Sequence, residues 1–294
     1  MNIESIRAFL EVSSTGSFQK AAQNLNITQS AMSARIKSLE ETLNRRLFNR
    51  KRNGATLTTG GQSFYRHALT VVRTWELARQ ETALSSDLNA ITALGVQLNH
   101  WKSVAAPWLQ IMKQNSPDIA TRVHSDYSDR LMAMLRDGLL NVAILYEPQR
   151  NPDLHIEPYL EEQIILVSTE PRAVSQKPIP GYVYVDWGHG FRTAYSLSFP
   201  ETPSHQMTVG LAEVGLNHIL EHGGSGYFLE QEVKHLLEQG NLCKVDDAPV
   251  FSLTTYLAYF SDSGDADAIQ AALDALEQVR RKQPSFKEAS TQEP

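Results

Sequence analysis

The segment from Ser17 to Leu43 constrains this chain more than any other, because it places two helices almost end to end with room only for a tight turn. Ser17 offers a side-chain oxygen to cap a short helix, QKAAQNL, whose Ala21, Ala22 and Leu25 let a neighbour approach closely. Asn26 and Ile27 form the turn. Thr28 caps a further helix, QSAMSARIKSLEETL, in which Ala31, Met32, Ile36, Leu39 and Leu43 recur at helical spacing as a buried stripe. The other face presents Gln29, Ser30, Ser33, Arg35 and Lys37. An earlier amphipathic helix, marked by Ile3, Ile6, Phe9, Leu10 and Val12, supplies a common core. A short helix, a tight turn and a polar-faced helix form the arrangement in which the last helix enters the major groove of DNA.

The charge distribution supports that reading. The whole chain carries −6, but residues 1–66 hold ten Lys or Arg against four Asp or Glu, a net of +6, while the remainder holds 17 against 29, a net of −12. A basic head on an acidic body implies one end that meets phosphate and another that does not. The head continues into RLFNRKRNGATLT, where Asn53-Gly54 is a hairpin signal, since a type I′ turn needs positive φ at both central positions. Arg50, Lys51 and Arg52 on one arm make a basic wing that reaches a phosphate or a narrow minor groove. Gln29 pairs bidentately with adenine and Ser30 meets either base type, with Thr28 beside them at the helix start. Ser33, Arg35, Lys37, Arg50 and Arg52 suit phosphates, which orient the protein without reading sequence.

Thr58 or Thr59 opens a long helix reaching about Ser85. Phe64, Ala68, Val71 and Trp75 lie at alternating spacings of four and three, a short seam that predicts dimerisation. From about residue 91 the pattern alternates between strands and helices: ITALGVQL, then SVAAPWLQIMKQ, IATRVHS, DRLMAMLRDG, NVAILY, EQIILVS and YVYVDW. The helix LAEVGLNHILEHG, the segment YFLEQEVKHLLEQG, the strand TTYLAYF and the helix DAIQAALDALEQVRRK follow. This rhythm predicts an α/β body with a largely parallel, helix-covered sheet.

Catalytic constellations are not evident. His218 and His222 stand one helical turn apart but lack the glutamate and third ligand of a zinc motif, so no metal is expected. Glu161 and Glu162 point to opposite faces of a strand, poor geometry for paired acid–base work. The glycines of residues 223–226 read as a helix end rather than a phosphate cradle. Cys243 stands alone, cannot form an intrachain disulfide and reads as a small buried hydrophobe. The opening MNIESIRAFLEVSS has neither the basic start nor the apolar core of a secretory signal, and no run approaches the roughly 18 apolar residues of a membrane span. A cytoplasmic protein that is not an enzyme, with no cofactor and no membrane partner, is expected.

Residues 1–66 resemble the LysR-type transcriptional regulators in SFQKAAQNLNITQSAMSARIKSLEETLNRRLFNRKRNGATLTTGGQ, and SPDI and LRDGLLNVAIL extend the resemblance into the body. Three departures stand out. Many members place arginine where this chain has Ala34, whereas here it is Arg35, about 100° further around the helix. The wing ends in LTTGG where proline is usual, and GGSGYFLEQ has Leu229-Glu230 in place of Leu-Pro. The resemblance implies a winged helix-turn-helix domain over 1–58, a linker and dimerisation helix over 59–88, and a two-lobe effector domain over 89–294 like a type 2 periplasmic binding protein. Lobe I then covers about 89–162 and 258–282, and lobe II about 163–257. It also implies double-stranded DNA, homodimers pairing into homotetramers, and RNA polymerase as partners. The implied cleft lies outside the carboxyl ends of the strands, which places Asn99, His100, Trp101, Asp126, Tyr146, Trp187 and Gly188 around a small effector. Free N–H groups of a helix starting near Trp101 suit an anionic one. The alternatives are a repressor set by concentration alone, with the body only an oligomerisation scaffold, and a solute receptor, against which the basic head argues.

Overall fold

The computed structural model describes residues 2–51, 54–82, 87–174, 181–200, 205–260 and 266–283, and it divides into two compact units, 1–84 and 85–294. In the first unit α1 (Ile3–Thr15), α2 (Phe18–Asn24) and α3 (Gln29–Thr42) pack around Ile6, Phe9, Val12, Met32, Ile36 and Leu39, all fully buried. The capping residues do what their chemistry allows: Ser17 accepts the Lys20 N–H and Thr28 the Ala31 N–H. Asn26 turns the chain between α2 and α3 in the left-handed region at φ 54°, which Asn tolerates better than most residues.

The wing is the hairpin of β1 (Phe48–Lys51) and β2 (Gly54–Leu57), and its register pairs Lys51 with Gly54. Gly54 is therefore a strand partner and not a central turn residue, which corrects the Asn53-Gly54 turn; Asn53 lies outside the described residues. Gly54 also has φ 138°, and a Cβ there would fall 2.6 Å from the Gly16 carbonyl oxygen, to which Ala55 N–H donates at 2.7 Å. Glu40 of α3 anchors the other strand, its carboxylate accepting the Leu47 and Phe48 N–H groups at 2.7 and 3.2 Å. Thr58 then caps α4 (Thr59–Thr82), accepting from the Gly61 N–H at 3.0 Å.

The expected seam on α4 is divided. Ala68 is fully buried and Phe64 meets Phe9 edge-on at 5.1 Å, so both belong to the head's own core. Val71 and Trp75 are exposed, Trp75 by 47%. The seam reads as one stripe in sequence, but its first half is buried by α1.

The second unit begins with β3 (Ala90–Gln97), a 3₁₀ turn at Leu98–His100 and a π turn at Trp101–Ala105, which run without a break into α5 (Ala106–Asn115). It continues with β4 (Ile119–Asp126), α6 (Ser128–Arg136), β5 (Val142–Leu145), β6 (Leu154–Ser168), β7 (Tyr182–Val185), α7 (His189–Ser198), β8 (Met207–Val209), α8 (Ala212–His222), β9 (Ser225–Leu229), α9 (Glu230–Glu238), β10 (Cys243–Lys244), β11 (Phe251–Phe260) and α10 (Ala266–Lys282). The strands form one sheet in the order β4-β3-β5-β11-β6-β9-β7-β8, with β10 also on β6. The pairs of β3 with β4 and β5, and of β7 with β8 and β9, are parallel, as expected. The centre is not: β11 runs antiparallel to both β5 and β6, and β6 antiparallel to β9. A largely parallel sheet is therefore wrong for the middle, because the last strand returns from lobe II alongside β6. Only the second half of β6 was legible, as Pro158 interrupts the ladder beside a bulge at Thr255/Tyr256.

Each lobe has its own apolar centre. In lobe I, Trp108 is fully buried and its indole N–H donates to the Ala272 carbonyl at 3.0 Å, tying α10 to α5. Tyr159 O–H donates to the Leu276 carbonyl at 2.7 Å. In lobe II an aromatic cluster of Trp187, Phe191, Tyr195, Tyr227 and Phe251 fills the interior. Cys243, expected to be buried, is half-buried. Among the described residues no helix is long and apolar enough to cross a membrane.

The Glu40 contact gives a direct test of the head. Glu40→Ala leaves two backbone N–H groups without their charged acceptor and is expected to destabilise residues 1–84 by about 1.5–3 kcal/mol. Urea unfolding of that unit measures it, and an unchanged midpoint would show that water replaces the carboxylate.

Candidate functional site

Two surfaces carry chemistry, one in each unit. On the head, α3 buries Met32, Ile36 and Leu39 and exposes Gln29, Ser30, Ala34, Lys37 and Ser38, with Thr28 exposed at its start. Thr28 Oγ1 and Ser30 Oγ lie 2.9 Å apart, and Ser33 is half-buried at the edge of this face. Arg35, also half-buried, is held by an ion pair. Its guanidinium reaches back to Glu4 of α1 at 3.3 Å, and Glu4 also pairs with Arg7 at 2.8 Å. Arg7 in turn pairs with Glu76 of α4, and Glu76 with Arg79 at 3.7 Å. One place along the helix from Ala34, the arginine belongs to an ion-pair network joining α1, α3 and α4. Arg50 occupies β1 opposite Ala55, and Arg52 lies outside the described residues.

In the body, a cavity of ≈ 480 Å³ opens between the lobes. Lobe I contributes residues 98, 99 and 101–103, β6 contributes Glu162, and α8 and α9 of lobe II supply the opposite wall. Asn99 links the lobes: its Nδ2 donates to the Gly210 carbonyl at 3.2 Å, and its Oδ1 accepts the Ala212 N–H, at the start of α8, at 2.9 Å. Lys102 adds an exposed ion pair with Glu213 at 2.7 Å.

The floor is a buried polar relay. His100 has no exposed surface, its Nε2 lies 2.7 Å from Glu162 Oε2, and its Nδ1 lies 3.3 Å from Tyr146 Oη. A proton on Nε2 donates to Glu162 and leaves Nδ1 to accept from the phenol, so one tautomer satisfies both contacts. Burial, with the Glu162 and Glu232 carboxylates adding to it, pushes the Tyr146 phenol well above its usual range, which keeps it a donor.

The residues expected around an effector therefore separate. Asn99 and Trp101 line the cavity, Trp101 as a rim residue 47% exposed. His100 and Tyr146 stand behind Glu162 and act on the cavity through it. Asp126 is half-buried at the end of β4, where its carboxylate accepts the Tyr127 N–H, and it does not line this cavity. Gly188 has φ 99° and faces Glu147, whose carboxylate accepts the Gly190 N–H at 3.0 Å in another link between the lobes. Trp187 is a correction: it is fully buried in lobe II and donates its indole N–H to the Tyr227 carbonyl at 3.0 Å, so it is core and not wall. Reading strand ends missed Lys102, Glu162, Glu213 and Glu232. The one available signal was Leu229-Glu230, since α9 starts at that departure and carries Glu232 in its first turn.

Comparisons with known proteins now bear on both surfaces. Residues 3–62 match the family model described as bacterial regulatory helix-turn-helix protein, lysR family, and residues 94–281 match the LysR substrate binding domain. The HTH-type transcriptional regulator HdfR of Yersinia enterocolitica is 27% identical over 283 residues, covering 93% of this chain and 95% of that protein. Among solved structures, Vibrio fischeri DarR in complex with DNA has a TM-score of 0.60 at 18% identity, covering 94% of this chain and 98% of that one. ArgP from Mycobacterium tuberculosis has a TM-score of 0.58 at 20% identity, covering 95% and 97%. The chain belongs to the LysR family of DNA-binding transcriptional regulators: a helix-turn-helix head and linker helix precede an effector-binding domain of the type 2 periplasmic-binding-protein fold, and it is not an enzyme.

Proposed function

We propose that this regulator responds to a small molecule held in the cavity between the lobes, and that it reads a two-fold operator as a dimer. The observation that carries the first part is the cavity itself, whose walls come from both lobes and whose floor is β6. A ligand touching both walls changes how the lobes are arranged only through its differential affinity for the arrangements, typically about 1–3 kcal/mol of coupling. The second part rests on Val71 and Trp75, large apolar side chains left exposed on α4. Base reading falls to Gln29 and Ser30 at the start of α3, and phosphate contact to Ser33, Lys37 and the wing's Arg50 and Arg52.

Gln29→Ala is expected to lose about 1–3 kcal/mol of discrimination between the operator and a scrambled duplex. Lys37→Ala instead weakens both duplexes alike and lowers the salt slope of log K by about one. Gel-shift titrations at several salt concentrations separate the two; equal losses on both duplexes for Gln29→Ala would remove it from base reading.

Trp75→Asp places a charge on the exposed stripe and shifts the protein toward monomers in sedimentation velocity, since burying such a side chain contributes about 1.5–3 kcal/mol. An unchanged profile would assign dimerisation to another surface.

Leu216→Trp fills the cavity from α8 without touching the head. The effector reading expects a reporter strain to become locked in one regulatory state while the DNA affinity of residues 1–84 is unaltered. Parental regulation by a folded Leu216→Trp protein would favour control by concentration alone.

A further inference from the structure

We infer that the cavity between the lobes receives a small organic cation, an ammonium or guanidinium group carried on an apolar body. This names the ligand class for the effector reading above and rests on it. Glu162, Glu213 and Glu232 line the cavity against the single ammonium of Lys102, and the remaining titratable side chain of the lining is His235, at the rim. Lys102 is already held by Glu213 at 2.7 Å, which leaves the carboxylates of Glu162 and Glu232.

Glu162 is only 6% exposed, and while its Oε2 meets His100, its Oε1 has no hydrogen-bond partner among the described residues. Glu232 is half-buried and has neither a hydrogen bond nor an ion pair among the described residues. Burial pushes the Glu232 carboxyl above the usual carboxylate range; Glu162 and Glu213 add to this, and His100 and Lys102 oppose it. A carboxylate in that position gains most from a cation brought into the cavity, and an anion would add a further like charge. Ser103 supplies a second unsatisfied group, a buried hydroxyl without a partner that also lines the cavity.

The rest of the wall selects the body of the ligand. Leu98, Leu211, Leu216, Leu220 and Leu236 make it apolar, and the exposed Trp101 ring at the rim offers a π face to a positive group. The volume of ≈ 480 Å³ suits a small molecule. The anion expected from sequence needed free N–H groups at a helix beginning near Trp101. A helical run does open there, as a 3₁₀ turn from Leu98 that continues through the π turn at Trp101 into α5, but it faces the carboxylates of Glu162 and Glu232 across the same cavity, which oppose an anion. The other helix start at the cavity, that of α8, donates its Ala212 N–H to Asn99.

Isothermal titration calorimetry of the full chain tests this with cadaverine and phenethylammonium, each beside a matched anion, pimelate and hydrocinnamate. The cations are expected to bind and the anions not. Glu232→Gln weakens the cations about tenfold or more, whereas Lys102→Ala tightens them by releasing Glu213; a merely structural role for either residue would not move binding in opposite directions. Binding of the anions in preference to the cations, or cation binding that Glu232→Gln leaves unchanged, overturns the cation assignment and leaves the effector reading standing. No heat from any of the four probes overturns the assignment as well, and if Leu216→Trp also regulates like the parent, the effector reading falls with it.

Discussion

The antiparallel pairing of β6 with β11 is the constraint on which the body depends. At one end β11 pairs with β5 of lobe I through Tyr256–Tyr259, and at the other β6 pairs with β9 of lobe II through Ile164–Ser168. Between those ends the two strands pair with each other from Leu154↔Phe260 to Ile164↔Phe251. The lobes therefore share a hydrogen-bonded ribbon, and neither completes its sheet without it. Glu162 sits on this ribbon, so the floor of the cavity belongs to the element hydrogen-bonded to both lobes. The contact of its carboxylate with His100, and of His100 with Tyr146, extends that link into lobe I.

Beside this ribbon, the hydrogen bonds between the lobes among the described residues are individually small. Asn99 meets Gly210 and Ala212, Glu147 meets the N–H of Gly190, and Lys102 meets Glu213. Each such hydrogen bond contributes about 0.5–1.5 kcal/mol net, and the exposed ion pair about 0–1 kcal/mol. Those magnitudes match the coupling energies by which ligands shift conformational equilibria, about 1–3 kcal/mol. A ligand of the proposed kind that replaced the Lys102–Glu213 pair would act on the same energy scale.

In the head, one arginine of α3 joins an ion-pair network that spans three helices. Ala34 lies in the exposed surface of α3, and the neighbouring Arg35 guanidinium meets Glu4. Through Arg7 and Glu76 the same network reaches α4, so the reading helix and the linker helix are joined by charge as well as by Phe64 and Ala68. These pairs are part-exposed and individually weak, and their contribution is orientation more than stability.

The helix-turn-helix, its caps at Ser17 and Thr28 and the start of the long helix at Thr58 were all legible in the sequence, because periodicity and capping act over only a few residues. The family signature lay in the same stretch for the same reason. The site was legible only in part. Asn99 and Trp101 follow from the rule that ligands gather at strand ends, but Trp187 obeys that rule and is core, since whether a residue at a strand end faces a cleft or a neighbouring helix depends on packing from distant segments. Phe64, Ala68, Val71 and Trp75 form one continuous pattern in the sequence, and only the position of α1 decides which of them are already buried. The charge of the cavity lay furthest out of reach. Lys102, Glu162, Glu213 and Glu232 are spread over more than a hundred residues and share no local pattern; the antiparallel return of β11 beside β6 completes the sheet that brings them to a single cavity, and that pairing is set by long-range hydrogen bonding that no short window of sequence contains.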